Sequence, residues 1–147
     1  MGIRERVEDA MILWEHGRLT GAFLNALIAV AATARKECPD RSIGDRQCFE
    51  SFLFRQRSQR WSLEYRGECR PTEEIFYKWL RCQLVHEGEL PVDIEFMPDD
   101  EPGQLAMRAG GAPEFVLKIS HGWFHEIVGY VVRSPVNAGL FPSNQSL

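Results

Sequence analysis

From Arg4 to His16 the apolar residues Val7, Ala10, Met11 and Trp14 return at steps of three and four, the spacing that puts side chains on one face of a helix. Gly17 offers that helix a stop. A second run, with Leu19, Phe23, Ala26, Leu27, Val30 and Ala31, is rich in alanine and ends before Pro39. It predicts a central helix that lets its neighbours approach closely. Asp45 is placed to accept backbone N–H groups as the N-cap of a third helix carrying Phe49, Phe52 and Leu53. Pro71 and Thr72 open a fourth, with Ile75, Phe76, Trp79, Leu80 and Leu84 as its apolar residues. Four such helices predict a bundle.

Beyond Gly88 the helical period gives way to alternation. Val92, Ile94 and Phe96 alternate with Asp93 and Glu95, and Phe115, Leu117 and Ile119 alternate with Val116 and Lys118. Leu105 to Arg108 supplies a third strand between turns at Pro98 to Gly103 and at Gly110 to Pro113. Ser120 then starts a last helix through Trp123, Ile127, Val128 and Val131. The expected fold is mainly α: a single domain over 1–147 with a helical bundle core at 1–90. A small antiparallel β-hairpin or meander follows at 91–119, then a C-terminal helix at 120–135 and a loose tail at 136–147.

Composition narrows the function classes. A chain of 147 residues with 44% hydrophobic and 26% charged residues buries enough surface to fold without disulfides or a structural metal. A net charge of −4 excludes a general DNA coater, whose affinity comes from neutralising many phosphates, but leaves room for a local basic patch. Residues 1–90 carry 14 basic and 14 acidic groups, whereas 91–147 carry 3 and 7. The first residues lack the apolar core of a signal peptide, and Arg6 stands where a myristoylation motif needs Ser or Thr. The longest apolar stretch, Gly21 to Ala34, is too short and too polar for a bilayer, so a cytoplasmic protein with no membrane partner is expected.

Cys38, Cys48, Cys69 and Cys82 are widely spaced and read as free thiols. His121 and His125, four apart on the last helix, find no evident third ligand, so no metal and no cofactor are expected.

The chemistry concentrates in the run Leu80-Arg81-Cys82-Gln83-Leu84-Val85-His86-Glu87-Gly88. Arg81 offers a permanent charge and a planar fork of donors suited to phosphate oxygens, and His86 titrates near neutrality and can move a proton. The structural alternative faces Arg81 to the helix carbonyls, paired with Glu74 or Glu87, and makes His86 a terminal hydrogen-bond donor. Upstream, Arg55, Arg57, Arg60, Arg66 and Arg70 meet only Glu64 and Glu68, with Trp61 and Tyr65 interleaved. Guanidinium groups beside aromatic faces suit single-stranded RNA, by phosphate contact and base stacking. A solvated loop pinned to the bundle by its aromatics is the other reading of that segment.

The aromatic helix Ile75-Phe76-Tyr77-Lys78-Trp79-Leu80 running into Arg81 and His86, with Leu84-Val85 between them and Gly88 after, resembles the HEPN superfamily and its Arg-x-x-x-x-His motif. The resemblance covers about residues 5–90. It implies a helical domain that pairs with itself so that two Arg-His motifs face each other. In many members that arrangement is a metal-independent endoribonuclease of toxin, antiphage or stress systems, with single-stranded RNA as substrate and, in toxin systems, an antitoxin partner. On that analogy Arg81 and His86 are the catalytic pair, and the product carries a 2′,3′-cyclic phosphate. Cys82 follows the arginine where catalytic members often have Asn, Asp or His. A non-catalytic HEPN-like module that binds nucleotide, RNA or a protein partner is therefore the alternative.

Overall fold

A computed structural model describes residues 2–57, 61–102, 104–110 and 116–141. Helix α1 (Ile3–Glu15) and helix α2 (Leu19–Glu37) are joined by a turn in which Gly17 takes φ 73°. That left-handed value suits glycine, and it lets the backbone N–H groups of His16, Gly17 and Arg18 reach the last carbonyls of α1. Helix α2 touches α1, helix α3 (Asp45–Gln56) and both later helical segments, and Ala22, Phe23, Ala26, Leu27, Ala29, Val30, Thr33 and Ala34 are all buried. The alanine-rich run is thus the central helix, as its composition predicts.

Helix α3 starts where expected but is capped differently. Gly44 occupies the N-cap, and the Asp45 carboxylate accepts hydrogen bonds from Arg35 rather than capping its own helix. The guanidinium brings a full positive charge, and three carbonyls of the chain between α2 and α3 hold it beside that carboxylate, so the contact from another element wins.

The fourth helix is continuous over 72–87 but changes type: helix α4 (Thr72–Glu74), a π-helical segment (Ile75–Cys82) and helix α5 (Gln83–Glu87), closed by Gly88 at φ 76°. Before it, residues expected as helix-linking chain form an antiparallel hairpin of β1 (Ser62–Tyr65) and β2 (Glu68–Pro71). Its turn is Arg66-Gly67, both at positive φ, the geometry that matches the twist of a two-residue hairpin loop.

The second sheet corrects the expected meander. Strands β3 (Ile94–Met97), β4 (Met107–Ala109) and β5 (Leu117–Ser120) lie in the order β3-β5-β4, with β3 parallel and β4 antiparallel to β5. The last strand is the one with Leu117, Ile119 and Ser120 all buried, and it takes the middle. A parallel pair needs a long crossover, which the segment 98–116 supplies with β4 inside it. Ser120 therefore ends β5 instead of starting a helix, and helix α6 (Gly122–Arg133) begins with the Gly122 N–H donating to Asp99 at 2.7 Å.

Of the tail expected to be loose at 136–147, residues 142–147 lie outside the described residues, and 136–141 are tied down at Asn137. This buried side chain donates to Thr33 Oγ1 at 3.0 Å and to the Val131 carbonyl at 2.8 Å, fixing the segment after α6 to α2. No helix among the described residues is long and apolar enough to cross a membrane.

Candidate functional site

The π-helical segment buries Ile75, Phe76, Trp79 and Leu80. Its wider turn leaves Tyr77 and Arg81 on the side facing α2 and α3, with the Arg81 guanidinium carbon 5.7 Å from the Tyr77 ring centre. Both line a cavity of about 390 Å³ whose wall is Ile28, Ala31 and Ala32 of α2 and whose rim carries Arg35, Arg41, Asp45 and Cys48.

The three arginines of this cavity are in different states. Arg35 is committed: its guanidinium donates to Asp45 at 2.6 Å and to the carbonyls of Cys38, Asp40 and Ile43 at 2.9–3.2 Å, so it holds the chain between α2 and α3 in place. The bond from Arg35 holds the Asp45 carboxyl below the usual carboxylate range, with the charges of Arg81 and Arg41 adding to the effect. Arg41 and Arg81 form no ion pair among the described residues. Arg81 has a buried Nε–H with no acceptor, and its Nη1 lies 3.9 Å from Cys82 Sγ. The carboxylates the sequence offers Arg81 are engaged elsewhere or turned away. Glu74 accepts from Arg70 at 3.0 Å and lies 3.6 Å from Arg46, and Glu87 is exposed at the end of α5.

His86 stands apart from this cavity. It is exposed on α5 and makes no hydrogen bond or ion pair among the described residues. Five positions on a regular helix turn a side chain about 140° from the starting face, so Arg81 and His86 of one chain do not share one lining.

The basic segment upstream is neutralised in place. Arg55 donates to Glu37 at 2.9 Å. Arg57 donates to Glu126 at 3.1 Å and lies over the rings of Trp61 and Trp123, which meet edge to face at 5.5 Å. Arg60 falls outside the described residues. Tyr65 is buried, and its hydroxyl donates to Asp93 at 2.8 Å. Arg66 donates to both oxygens of Asp93 at 2.9 and 3.1 Å, which compensates a left-handed backbone (φ 54°) unusual for arginine. Arg70 pairs with Glu68 and Glu74 and lies 4.6 Å from the Trp79 ring centre. Arg55 and Arg57 thus tie the end of α3 to α2 and α6, and Tyr65, Arg66 and Arg70 fasten the hairpin to the body.

Asp93 is the anchor of that fastening, and its acidity reports it. Burial raises its pKa, but the hydrogen bonds from Arg66 and Tyr65 outweigh burial and hold the carboxyl below its ordinary value. A depressed carboxylate contributes stability that is present above the unfolded value near 3.9 and lost as pH falls through the folded value. Asp93→Asn should lower stability by about 1–3 kcal/mol at pH 7. In urea titrations below pH 5 it should lose less further stability than the wild type does; parallel acid limbs would remove Asp93 as the cause.

The histidines of α6 are packing groups. The rings of His121 and His125 both stand edge-on to Trp14 at 5.4 Å, with Trp14 stacked on Phe124. What sequence reasoning missed is the company Arg81 keeps. Arg35, Arg41 and Tyr77 come from three separate elements, and basic residues near a helix C-terminus are ordinarily assigned to its dipole. No family model, curated protein or solved structure matches the chain.

Proposed function

We propose that this mainly α chain is a HEPN-like module that binds RNA through the cationic cavity at Arg81. The observation that carries the reading is an arginine without a carboxylate partner, its Nε–H buried, at a cavity with a second unpaired arginine, Arg41, on the rim. A guanidinium that lines a cavity without a carboxylate partner suits a phosphate oxygen as its acceptor. The apolar wall of Ile28, Ala31 and Ala32 gives a nucleotide's sugar or base a dry surface to lie against. The test is fluorescence anisotropy with a short single-stranded oligoribonucleotide. Arg81→Ala should weaken binding about tenfold to a hundredfold, the worth of a charge-assisted hydrogen bond. Unchanged affinity, or no binding by the wild type, removes the reading.

A second reading is favoured by one observation: His86 is exposed and unengaged, available to another molecule. Two copies paired about a two-fold axis would bring His86 of one to Arg81 of the other and make a metal-independent endoribonuclease. His86 would take the 2′-hydroxyl proton or protonate the departing 5′-oxygen while Arg81 steadies the charge on the phosphorus oxygens. A toxin, antiphage or stress role, with an antitoxin as partner, belongs to this reading.

A further inference from the structure

We infer that the cavity at Arg81 selects a phosphomonoester, the doubly charged terminal phosphate of an RNA or a nucleotide, over the singly charged phosphodiester inside a chain. The inference rests on the RNA-binding reading for its ligand family and goes beyond it in naming the group recognised.

The argument is charge matching. Of the four ionised side chains around the cavity, Arg35 and Asp45 cancel each other through a 2.6 Å ion pair. Arg41 and Arg81 remain, so the site presents two uncompensated positive charges. A phosphodiester carries one negative charge, which leaves one of the two guanidiniums without a counter-charge. A terminal phosphate carries between −1.5 and −2 near neutral pH and offers three oxygens, enough for two separate guanidinium forks.

The placement of the arginines gives each a distinct part. Arg35 cannot reorient without abandoning three carbonyls and Asp45, so it acts as a fixed post that shapes the chain carrying Arg41. Arg81 is braced by the face of Tyr77. Arg41 is the exposed member on the connection between α2 and α3, free to close over a phosphate held by Arg81. Arg41 is therefore the specificity-determining residue: it contributes most where one phosphate brings a second negative charge. Asp45 is the one carboxylate on the rim, and its bond to Arg35 spares the ligand most of its repulsion.

The experiment measures binding to three probes by isothermal titration calorimetry: one short oligoribonucleotide with a 5′-phosphate, the same sequence with a 5′-hydroxyl, and adenosine 5′-monophosphate. The 5′-phosphate should tighten binding of the oligonucleotide about tenfold or more. Arg41→Ala should erase that preference, weakening the 5′-phosphate probe more than the 5′-hydroxyl probe; Arg81→Ala should weaken all three. Arg41 is exposed, so the variant is expected to melt with the wild type, and thermal denaturation checks that. Equal binding of the two oligonucleotides, both lost in Arg81→Ala, overturns the monoester inference and keeps RNA binding. Binding of the mononucleotide alone supports the monoester site and overturns the RNA reading. Binding of none overturns both.

Discussion

Phe124→Ala should cost the fold about 3–5 kcal/mol, the usual loss when a fully enclosed phenyl ring is removed and the surroundings collapse only in part. Phe124 is completely buried and sits where α6 meets α1 and α2. Its ring lies parallel to Trp14 of α1 at 4.3 Å and edge-on to Phe23 of α2 at 5.7 Å, and Phe23 in turn stacks on Phe96 of β3 at 4.4 Å. Removing this ring opens a gap between α6 and the first two helices and unsupports Trp14 and Phe23, the ring on which Phe96 of the mixed sheet stacks. In a domain of this size the midpoint of thermal unfolding should fall by roughly 10 °C or more. Ile12→Ala, on the exposed face of α1, is the matched control and should change stability by no more than about 0.5 kcal/mol. Urea titrations with equal m-values decide it. If Phe124→Ala lands within about 1 kcal/mol of the control, this aromatic stack is not where the bundle and the sheet are held together.

That stack also marks where local pattern is a sufficient guide to this fold and where it is not. Trp14, Phe23 and Phe124 each belong to an amphipathic or apolar run whose period is visible in the chain, so α1, α2, α3 and α6 and the helix over 72–87 follow from neighbours three and four positions away. The pairing of β3 with β5 depends on segments about twenty residues apart, and no local period distinguishes a parallel partner from an antiparallel one. Hairpin β1–β2 is an intermediate case. Trp61, Leu63 and Tyr65 alternate ahead of Gly67, which is a strand-and-turn signal, but the same stretch is dense in arginine and invites a surface reading. The arginines turn out to be fastenings themselves, because Glu37, Glu126 and Asp93 arrive from distant parts of the chain, while Arg70 pairs locally with Glu74.

The site divides along the same line. That Arg81 and His86 lie on one helix is readable from sequence, as is the suitability of both for phosphate chemistry. The turn of about 140° between them is readable as well, but which surface each one meets is not, because that depends on the neighbours the helix packs against. Asp45 illustrates the general difficulty. Its position before Phe49 is that of an N-cap, yet Arg35, ten residues earlier, is held beside it as a full positive charge, and with that pairing Arg41 and Arg81 become the cavity's net charge.

The separation of Arg81 from His86 within one chain yields the sharpest expectation for the two-copy ribonuclease. Arg81→Ala and His86→Ala should each abolish RNA cleavage in excess chelator when assayed alone. Mixed in equal amounts and allowed to exchange subunits, they should recover about a quarter of the wild-type rate, since half of the pairs are mixed and each mixed pair has one intact composite site of two. The intact site draws Arg81 from the His86→Ala copy and His86 from the Arg81→Ala copy. A site completed inside one chain predicts no recovery, because neither variant holds both groups. Subunit exchange is followed independently by energy transfer between labelled copies, so a silent mixture with confirmed exchange rules out the composite site. A wild type that never cleaves, or that runs as a monomer at assay concentrations, ends the catalytic reading and leaves the cavity at Arg81 to be judged on binding alone.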